Sequence, residues 1–276
     1  MTSLLRIGAR GSKLSLAQTG HVRAALAAKL GADPGTLEII PIVTSGDTIQ
    51  DRRLIDAGGK GLFTKELDEA LLDGRIDIAV HSLKDLPTHL PAGVTLACVP
   101  EREDPRDAFV SPHARTLSEL KPGANVGTAS LRRQAQTLYA RPDLGVVTLR
   151  GNVDTRLKKL EEGAAQATFL ALAGLKRLGL EARATSLVDT EEAPPAACQG
   201  ALAITARTDD ARVADMLGQF EDANARSEIE AERAFLEALD GSCRTPIAAL
   251  ARVSDGSLRF IGEALTPDGV TRWRRT

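Results

Sequence analysis

One short segment places a hydroxyl, an ammonium group and a carboxylate within four residues. Ser82, Lys84 and Asp85 follow the segment 76–80 (IDIAV), which is typical of a buried strand. Ligands of open α/β sheets bind just beyond the carboxyl ends of strands. A single carboxylate at such a place suits a site that stabilises a developing cation. On spacing alone, a turn-capping role for Asp85 before Pro87 remains an alternative.

Arginine dominates the basic residues and stands beside predicted helix starts. Of the 35 basic residues 26 are Arg, whose planar fork pairs with carboxylate or phosphate through two hydrogen bonds. Arg10 precedes one helix, segment 128–133 opens a second with two hydroxyls and two guanidiniums, and segment 149–152 opens a third, with Arg156 one turn later. Helix N-termini bind anions through free N–H groups. The pattern predicts a ligand with several carboxylates or phosphates, although each Arg alone also fits a solvated surface side chain.

Lys60 and His81 are further candidates, each with a plain structural alternative. Lys60 lies in the loop 58–61 (GGKG), which lacks P-loop spacing and fits a lid that closes on an anionic ligand. A solvated loop lysine is the alternative. His81 could serve as a general base, or as a core histidine that hydrogen-bonds to backbone.

The three cysteines predict neither disulfides nor a metal site. Cys98, Cys198 and Cys243 are odd in number, widely spaced and form no CxxC pair. Cys98 fits a small buried apolar residue, and Cys198 is ambiguous. Cys243 lies in a predicted loop beside Arg244, and both features favour the thiolate. This cysteine usage predicts a reducing, cytoplasmic location.

Bulk composition narrows the class of protein. The chain has 276 residues and a formal net charge of −2, which argues against a general nucleic-acid binder. No apolar run reaches the ~18 residues of a membrane span, and no apolar N-terminal leader is visible. The length is enough for two or three domains with cores of their own. We therefore expect a cytoplasmic protein with no membrane or nucleic-acid partner.

Alternating strand and helix patterns predict two α/β domains and a smaller α+β domain. We place the first α/β domain at 1–100 with 200–220, the second at 105–195, and the third at 222–276. A charged, Pro-bracketed segment at 100–105 is typical of a hinge. Predicted helices run from the Ser12 cap to Leu30, over 63–72 and over 224–239. The predicted strands are 4–8, 37–43, 76–80, 94–99, 108–111, 125–127, 145–149, 168–172, 186–188, 201–206, 247–253 and 258–264. Mainly parallel sheets and a ligand cleft between the two α/β domains follow from this order.

Eight motifs in chain order resemble the porphobilinogen deaminase family, also called hydroxymethylbilane synthases. The resemblance covers nearly the whole chain, and the motifs are long and colinear. They are residues 5–12 (LRIGARGS), 58–63 (GGKGLF), 79–87 (AVHSLKDLP), 101–109 (EREDPRDAF), 127–134 (GTASLRRQ), 149–153 (LRGNV), 173–179 (AGLKRLG) and 199–201 (QGA).

The resemblance implies a fold, a reaction and roles for individual residues. Two domains like type II periplasmic binding proteins would flank a cleft, and a small α+β C-terminal domain would carry a dipyrromethane cofactor on Cys243 through a thioether. The enzyme would be a monomeric transferase of tetrapyrrole (haem, chlorophyll) biosynthesis, joining four porphobilinogen molecules into linear hydroxymethylbilane with loss of ammonia. Asp85 would be catalytic. The residues that would bind cofactor and substrate are Arg10, Ser12, Gln18, Lys60, Ser82, Lys84, Thr128, Ser130, Arg132, Arg133, Arg150, Arg156, Arg177 and Gln199.

Four departures from the family pattern bear on these roles. Ser242 replaces a Gly before the cysteine, Cys198 stands where Val or Ile is common, and Asp56 stands where a Lys can occur. The chain also ends earlier than similar proteins, so we expect a shortened third domain whose apolar sheet residues stay partly uncovered. A non-catalytic anion-binding module with the same cleft and a catalytically impaired homologue remain alternatives at this point.

Overall fold

The computed structural model describes residues 3–48, 63–239 and 245–276, and the strands in these ranges form three sheets. The strands are β1 (Leu5–Arg10), β2 (Leu37–Ile42), β3 (Ile78–Ser82), β4 (Val94–Cys98), β5 (Asp107–Val110), β6 (Asn125–Gly127), β7 (Gly145–Val147), β8 (Ala167–Ala171), β9 (Ser186–Leu187), β10 (Leu202–Arg207), β11 (Ile247–Ser254), β12 (Ser257–Leu265) and β13 (Arg272–Arg275). The α-helices are α1 (Lys13–Leu30), α2 (Ser45–Thr48), α3 (Lys65–Leu72), α4 (Leu131–Ala140), α5 (Val153–Glu161), α6 (Leu172–Arg177), α7 (Ala211–Gly218) and α8 (Ala223–Ala238).

The first sheet has the strand order β2-β1-β3-β10-β4. Strands β1, β2 and β3 pair in parallel, whereas β10 is antiparallel to both β3 and β4. The predicted return of segment 201–206 to this sheet is therefore confirmed, and so is its mainly parallel character. Parallel neighbours end at the same edge of a sheet, so the polar residues after β1 and β3 meet there.

The second sheet repeats the arrangement of the first. Its order is β7-β6-β8-β5-β9, with β6 parallel to β7 and β8 and with β5 antiparallel to β8 and β9. In each sheet one antiparallel strand is thus inserted beside a parallel set. The predicted fold class is confirmed: two α/β sheets of the same topology accompany a small C-terminal sheet.

Helix α1 packs against the first sheet as its sequence predicts. Ser12 caps its N-terminus by accepting a hydrogen bond from the Ser15 amide, and Gly31 ends it in the left-handed region at φ 61°. Val22 and Leu26 are buried against Leu5 of β1 in one apolar core. This packing holds the start of α1, and with it Ser12, at the end of β1.

The third sheet, β11-β12-β13, is better covered than the sequence predicts. Ile247, Leu250 and Ile261 are buried, so the expectation that they stay uncovered is wrong; it holds for Leu258, which is 44% exposed. A third strand, β13, was missing from the prediction, and α8 packs on the sheet where Gly262 allows close approach. A Cβ at Gly262 would lie 2.8 Å from Cζ of Phe235.

Buried carboxylates of α8 accept hydrogen bonds from backbone amides on the outer edge of β11. Glu232 accepts hydrogen bonds from the backbone amides of Ala251 (2.7 Å) and Cys198, and Glu228 accepts one from Val253 (3.1 Å). Unpaired amides on an edge strand otherwise invite pairing with another chain. The edge of β11 therefore depends on the helix beside it.

The described residues divide into two compact units. One consists of 3–48, 63–103 and 201–227, and the other of 104–200, 228–239 and 245–276. The second unit thus holds the second and third sheets together. The domain limits 1–100 with 200–220, 105–195 and 222–276 stay predictions.

Replacing Glu232 by Ala should destabilise the second unit strongly. The change leaves two buried backbone amides without an acceptor, and each unsatisfied group costs about 1–3 kcal/mol. Exposed Glu230, two residues away on α8, provides the control Glu230→Ala. Urea unfolding followed by circular dichroism should show a clear loss of stability only for Glu232→Ala; equal midpoints for the two variants would contradict the role of this carboxylate.

Two buried titratable groups in the first unit respond oppositely to pH. Burial, with the nearby charge of Arg10, lowers the pKa of His81 from 6.5 to about 4. Burial raises the pKa of Asp68 from 3.8 to about 6, although a hydrogen bond with Thr64 acts against this. Between pH 4 and 6.5 the unfolded chain protonates His81 and the native chain does not, so stability falls as pH falls. For Asp68 the native state holds the proton, so stability falls as pH rises from 3.8 to 6.

Replacing Asp68 by Asn should reveal how His81 affects the pH dependence of stability, because Asp68 acts in the opposite direction. Without the opposing carboxyl, the free energy of unfolding should rise with pH by roughly 3 kcal/mol more between pH 4 and 6.5 than in the parent. Urea denaturation at pH 4.5, 5.5 and 6.5 measures the slope. Exposed Asp73→Asn, at the C-terminal cap of the same helix, is the control, and a slope for Asp68→Asn equal to that of the parent would contradict the assignment.

Candidate active site

The polar residues after β1 and β3 come together at one edge of the first sheet. The register pairs Ile7 with Ile78 and Gly8 with Ala79, so both strands end side by side. A hydrogen bond of 3.0 Å from Nε2 of Gln18 to Oγ of Ser82 then ties α1 to the end of β3. The structure thus brings the predicted residues Ser12, Gln18 and Ser82 into one neighbourhood.

Asp85 presents an exposed carboxylate beside a pocket at this edge. A 3₁₀ turn (Leu83–Asp85) follows β3 directly and is held by hydrogen bonds from the Leu83 amide to the Ala201 carbonyl (3.1 Å) and from the Leu86 amide to the Leu83 carbonyl (3.0 Å). Within the described ranges no group hydrogen-bonds or ion-pairs with the Asp85 carboxylate, while Lys84 beside it is also exposed. The backbone of the turn is fixed by these hydrogen bonds, and the carboxylate is open to a ligand.

Arg10 and Phe63 flank the same pocket. The guanidinium carbon of Arg10 lies 4.0 Å from the centroid of the Phe63 ring, a cation–π contact that orients the Arg10 side chain. The pocket combines one carboxylate, one guanidinium, hydroxyls and an aromatic face, which suits a ligand with both anionic and cationic groups. Its lining consists of Arg10, Ser12, Leu14, Ser15, Gln18, Phe63, Thr64, Val80, His81, Ser82 and Asp85.

His81 lines the pocket but is a neutral structural group. Its Nε2 lies 3.1 Å from Oγ1 of Thr205 on β10, and the residue is buried. The core interpretation of His81 is confirmed, with a side-chain hydroxyl as its partner instead of backbone. Because burial keeps its pKa near 4, His81 is uncharged at neutral pH.

In the second unit, Thr128 and Ser130 shape the start of α4. Ser130 caps the helix by accepting from the Arg133 amide (3.4 Å), and its own amide donates to Oγ1 of Thr128 (3.1 Å). This turn follows β6 as the Ser12 turn follows β1. The hydroxyls predicted to hold ligand carboxylates are therefore engaged with helix-start amides.

Asp107 joins three of the predicted binding residues in one buried cluster. Its carboxylate accepts from Nη2 of Arg132 (2.9 Å), from Nη2 of Arg133 (2.7 Å) and from Nε2 of Gln199 (2.8 Å). Burial acts to raise the pKa of Asp107, but the charges of Arg132 and Arg133 outweigh it and hold the pKa well below its usual range. The cluster fixes two adjacent guanidiniums in place.

Some donors of the arginines remain without a partner. Nε of Arg132 and Nη1 of Arg150 are buried and form no hydrogen bond within the described ranges. Arg156 donates to the Gly151 carbonyl (2.8 Å), and Arg177 donates to the Gly200 carbonyl (2.6 Å). Buried unsatisfied donors are uncommon and point to a missing acceptor, such as a ligand carboxylate.

The predicted residues Lys60 and Cys243 lie outside the described residues, so no geometry is assigned to them. The other two cysteines are buried free thiols. The pKa of Cys98 is raised by burial and by the neighbouring Glu221, which confirms an inert apolar role. Cys198 adopts a left-handed backbone at φ 64°, and its amide donates to Glu232.

Sequence reasoning missed several residues that shape these sites. Asp107 was part of a recognised motif but was given no individual role. As an acid at the start of a buried strand it needs a counter-charge, and Arg132 and Arg133 supply it. Phe63 and Thr64, which line the pocket, were placed at the start of a predicted helix, and Phe63 also ends the motif 58–63, but neither was given a role in the site. Gln136, which hydrogen-bonds to Arg132 (2.8 Å), stands four residues after it on α4, a spacing that predicts side-chain contact on a helix.

These donors fit the dipyrromethane that the sequence resemblance implies. Such a group carries acetate and propionate carboxylates, which match the open donors of Arg132 and Arg150. Its pyrrole N–H groups match an unpaired carboxylate such as Asp85. The residues present therefore suit this cofactor in charge and in hydrogen-bonding type.

Comparisons with known proteins agree with the geometry. Residues 5–215 match the family model "Porphobilinogen deaminase, dipyromethane cofactor binding domain", and 227–276 match "Porphobilinogen deaminase, C-terminal domain". The chain is 59% identical to a porphobilinogen deaminase of Caulobacter sp. strain K31 over 276 residues, covering 98% of this chain and 86% of the relative. It is 54% identical to that of Phenylobacterium zucineum over 280 residues, covering 99% and 87%.

A solved structure shows the same fold at low identity. A periplasmic substrate-binding protein of an ABC transporter from Coxiella burnetii is 14% identical, with a TM-score of 0.50, and covers 81% of this chain and 94% of its own. None of the helices in the described ranges has the length and apolar character of a membrane span. From the two family models and the identity to these relatives over nearly its full length, the chain belongs to the porphobilinogen deaminase family.

Proposed function

We propose that this chain is a hydroxymethylbilane synthase that uses Asp85 as its catalytic carboxylate. It joins four porphobilinogen molecules head to tail, releases ammonia at each addition, and frees linear hydroxymethylbilane by hydrolysis. The observation that carries the proposal is the exposed, unpaired Asp85 carboxylate in a pocket with Arg10 and Phe63. The reaction belongs to tetrapyrrole biosynthesis.

Asp85 stabilises the cation that forms when the substrate loses ammonia. The bond from the aminomethyl carbon to nitrogen breaks, the electron pair leaves with nitrogen, and positive charge spreads over the pyrrole. A carboxylate that no described cation neutralises keeps its full attraction for this charge. The 3₁₀ turn holds Asp85 in position beforehand, so little reorganisation is needed during the step.

The arginines and hydroxyls of the two units bind the acetate and propionate groups. Arg150 contributes a buried Nη1 donor and Arg132 a buried Nε donor, both without a described partner. Gln199 donates its amide hydrogens to Asp107 (2.8 Å) and to the Pro105 carbonyl (2.7 Å), so it positions the cluster. The remaining binding residues are Arg10, Ser12, Gln18, Lys60, Ser82, Lys84, Thr128, Ser130, Arg133, Arg156 and Arg177.

Cys243 holds the dipyrromethane through a thioether in this proposal. When bound, the cofactor supplies the pyrrole end to which the first substrate is joined. Buried Cys98, whose pKa is raised, is a poor competitor for attachment. We further propose a monomeric enzyme in the cytoplasm, a location supported by the free thiols Cys98 and Cys198.

The intact mass of the purified full chain tests the proposed enzyme against a non-catalytic binder. We expect a dipyrrole adduct that peptide mapping places on Cys243, with none on Cys98 or Cys198. Cys243→Ser should lack the adduct and turn over no porphobilinogen, while Cys98→Ser serves as the thiol control. An adduct that persists in Cys243→Ser would refute the attachment site.

Asp85→Asn should retain the cofactor but lose most turnover. Removing one preorganised electrostatic stabiliser typically costs ~10²–10³ in rate. Asp85→Glu should bind substrate and turn over slowly, because the added methylene misplaces the charge. Steady-state kinetics with porphobilinogen, alongside exposed Asp73→Asn, make the comparison; near-parental activity of Asp85→Asn would assign the cation to another group.

A further inference from the structure

A buried chain of hydrogen bonds connects the C-terminal sheet to Arg132. Glu263 of β12 is 1% exposed, and its Oε1 accepts from Nε2 of Gln136 at 2.9 Å. Oε1 of Gln136 accepts from Nη1 of Arg132 at 2.8 Å, and Nη2 of Arg132 donates to Asp107 at 2.9 Å. All four residues belong to the second unit. One end of the Arg132 guanidinium is thus held by Asp107 and the other by a chain that begins on β12.

The groups at its two ends decide which atoms donate and which accept along this series of hydrogen bonds. Nε2 of Gln136 donates to both Glu263 and the Pro194 carbonyl (2.9 Å), which uses both amide hydrogens. An ionised carboxylate only accepts, so the amide nitrogen faces Glu263 and the amide oxygen faces Arg132. If Gln136 were flipped, its oxygen would face the Glu263 carboxylate. Glu263 therefore selects the amide orientation that accepts from Arg132.

Glu263 also contributes charge to the neighbourhood. Arg132 and Arg133 are both buried and share the single carboxylate of Asp107, so their positive charge exceeds the negative charge of the acid between them. Burial lowers the pKa of Arg132, while the charges of Asp107 and Glu263 act in the opposite direction. Oε2 of Glu263 lies 3.8 Å from Nε of Arg272 and 3.9 Å from Nη1 of Arg274.

We propose that Glu263 is a positioning residue which, through Gln136, holds the Arg132 guanidinium so that its Nε stays available to a ligand carboxylate. The proposal rests on the proposed function of Arg132 as a carboxylate-binding residue. Nη1 donates to Gln136 and to the Pro194 carbonyl (3.3 Å), and Nη2 donates to Asp107, so Nε is the donor left buried without a described partner. Without Gln136, Nη1 keeps only the longer hydrogen bond to the Pro194 carbonyl, so Arg132 is held less firmly and its Nε is presented less precisely.

The competing explanation is that Glu263 merely attaches the sheet to α4. Two other contacts already attach the sheet to α4. Side-chain Nε2 of Gln134 donates to the Pro267 carbonyl (3.1 Å), and the guanidinium carbon of Arg272 lies 4.5 Å from the centroid of the Tyr139 ring. An attachment role predicts lower stability with unchanged substrate binding. A positioning role predicts weaker substrate binding, and coupling between Glu263 and Gln136.

The test compares isosteric variants of both residues in the full chain. Glu263→Met and Gln136→Met each break the series of hydrogen bonds with little change in side-chain volume. Glu263→Gln restores an acceptor for Gln136 but carries no charge. We expect KM for porphobilinogen to rise about threefold to tenfold in each Met variant, with a smaller change in kcat and a partial recovery in Glu263→Gln. The double variant should be no worse than the poorer single variant, because both changes break one chain.

Glu228→Met provides the matched control. Glu228 is also a buried carboxylate that supports the C-terminal sheet, but its partners are the Val253 amide (3.1 Å) and Arg252 (3.2 Å). It should lower the urea midpoint and leave KM unchanged. If Glu263→Met fails to fold, Gln136→Met alone carries the test because it leaves β12 intact.

The variant Arg132→Gln distinguishes the positioning role of Glu263 from the carboxylate-binding function of Arg132. If Arg132→Gln raises KM or abolishes cofactor loading while both Met variants keep the parental KM, the positioning role is overturned and the function of Arg132 stands. If Arg132→Gln changes neither KM nor the adduct mass, the proposed function of Arg132 fails first. Additive effects of the two Met changes on KM would also overturn the proposal that Glu263 acts through Gln136.

Discussion

Two guanidinium groups buried side by side are tolerable only because one carboxylate lies between them. Arg132 and Arg133 are adjacent in sequence at the start of α4, and both donate to Asp107. Uncompensated buried charge is among the costliest features a protein can carry. The place of Asp107 at the start of β5, the inserted antiparallel strand of the second sheet, therefore decides where these arginines can be.

The first sheet uses the same topology for an opposite electrostatic arrangement. Its inserted strand β10 contributes neutral Thr205, which faces neutral His81, and no described group pairs with Asp85 beyond the strand end. Ser12 and Ser130 cap the helices that follow β1 and β6, which hold the same place in the strand orders of the two sheets. One backbone plan thus supports an open carboxylate in one unit and clustered guanidiniums in the other. Cation stabilisation and anion binding need these opposite charges.

Much of the fold was predictable because its signals are local. The Ser12 cap, the helix to Leu30 and the strand 125–127 were predicted correctly, since each depends on neighbouring residues and on apolar periodicity. The short strand β13 was missed because Arg272–Arg275 is strongly charged, and it forms by pairing with β12. Burial of Ile247 and Ile261 was also missed, because it depends on how the sheet packs, which apolar periodicity does not record.

The sequence by itself determined the family, the chemical types at the site and the strand ends where Asp85 and the arginines stand, because motifs and periodicity are written in neighbouring residues. Only the tertiary structure decided which of those groups keep open donors. Asp107 on β5 pairs with Arg132 across 25 residues of chain, and Glu263 on β12 pairs with Gln136 across 127 residues. Hydrogen bonding and burial between such distant residues depend on three-dimensional proximity, which no local pattern records.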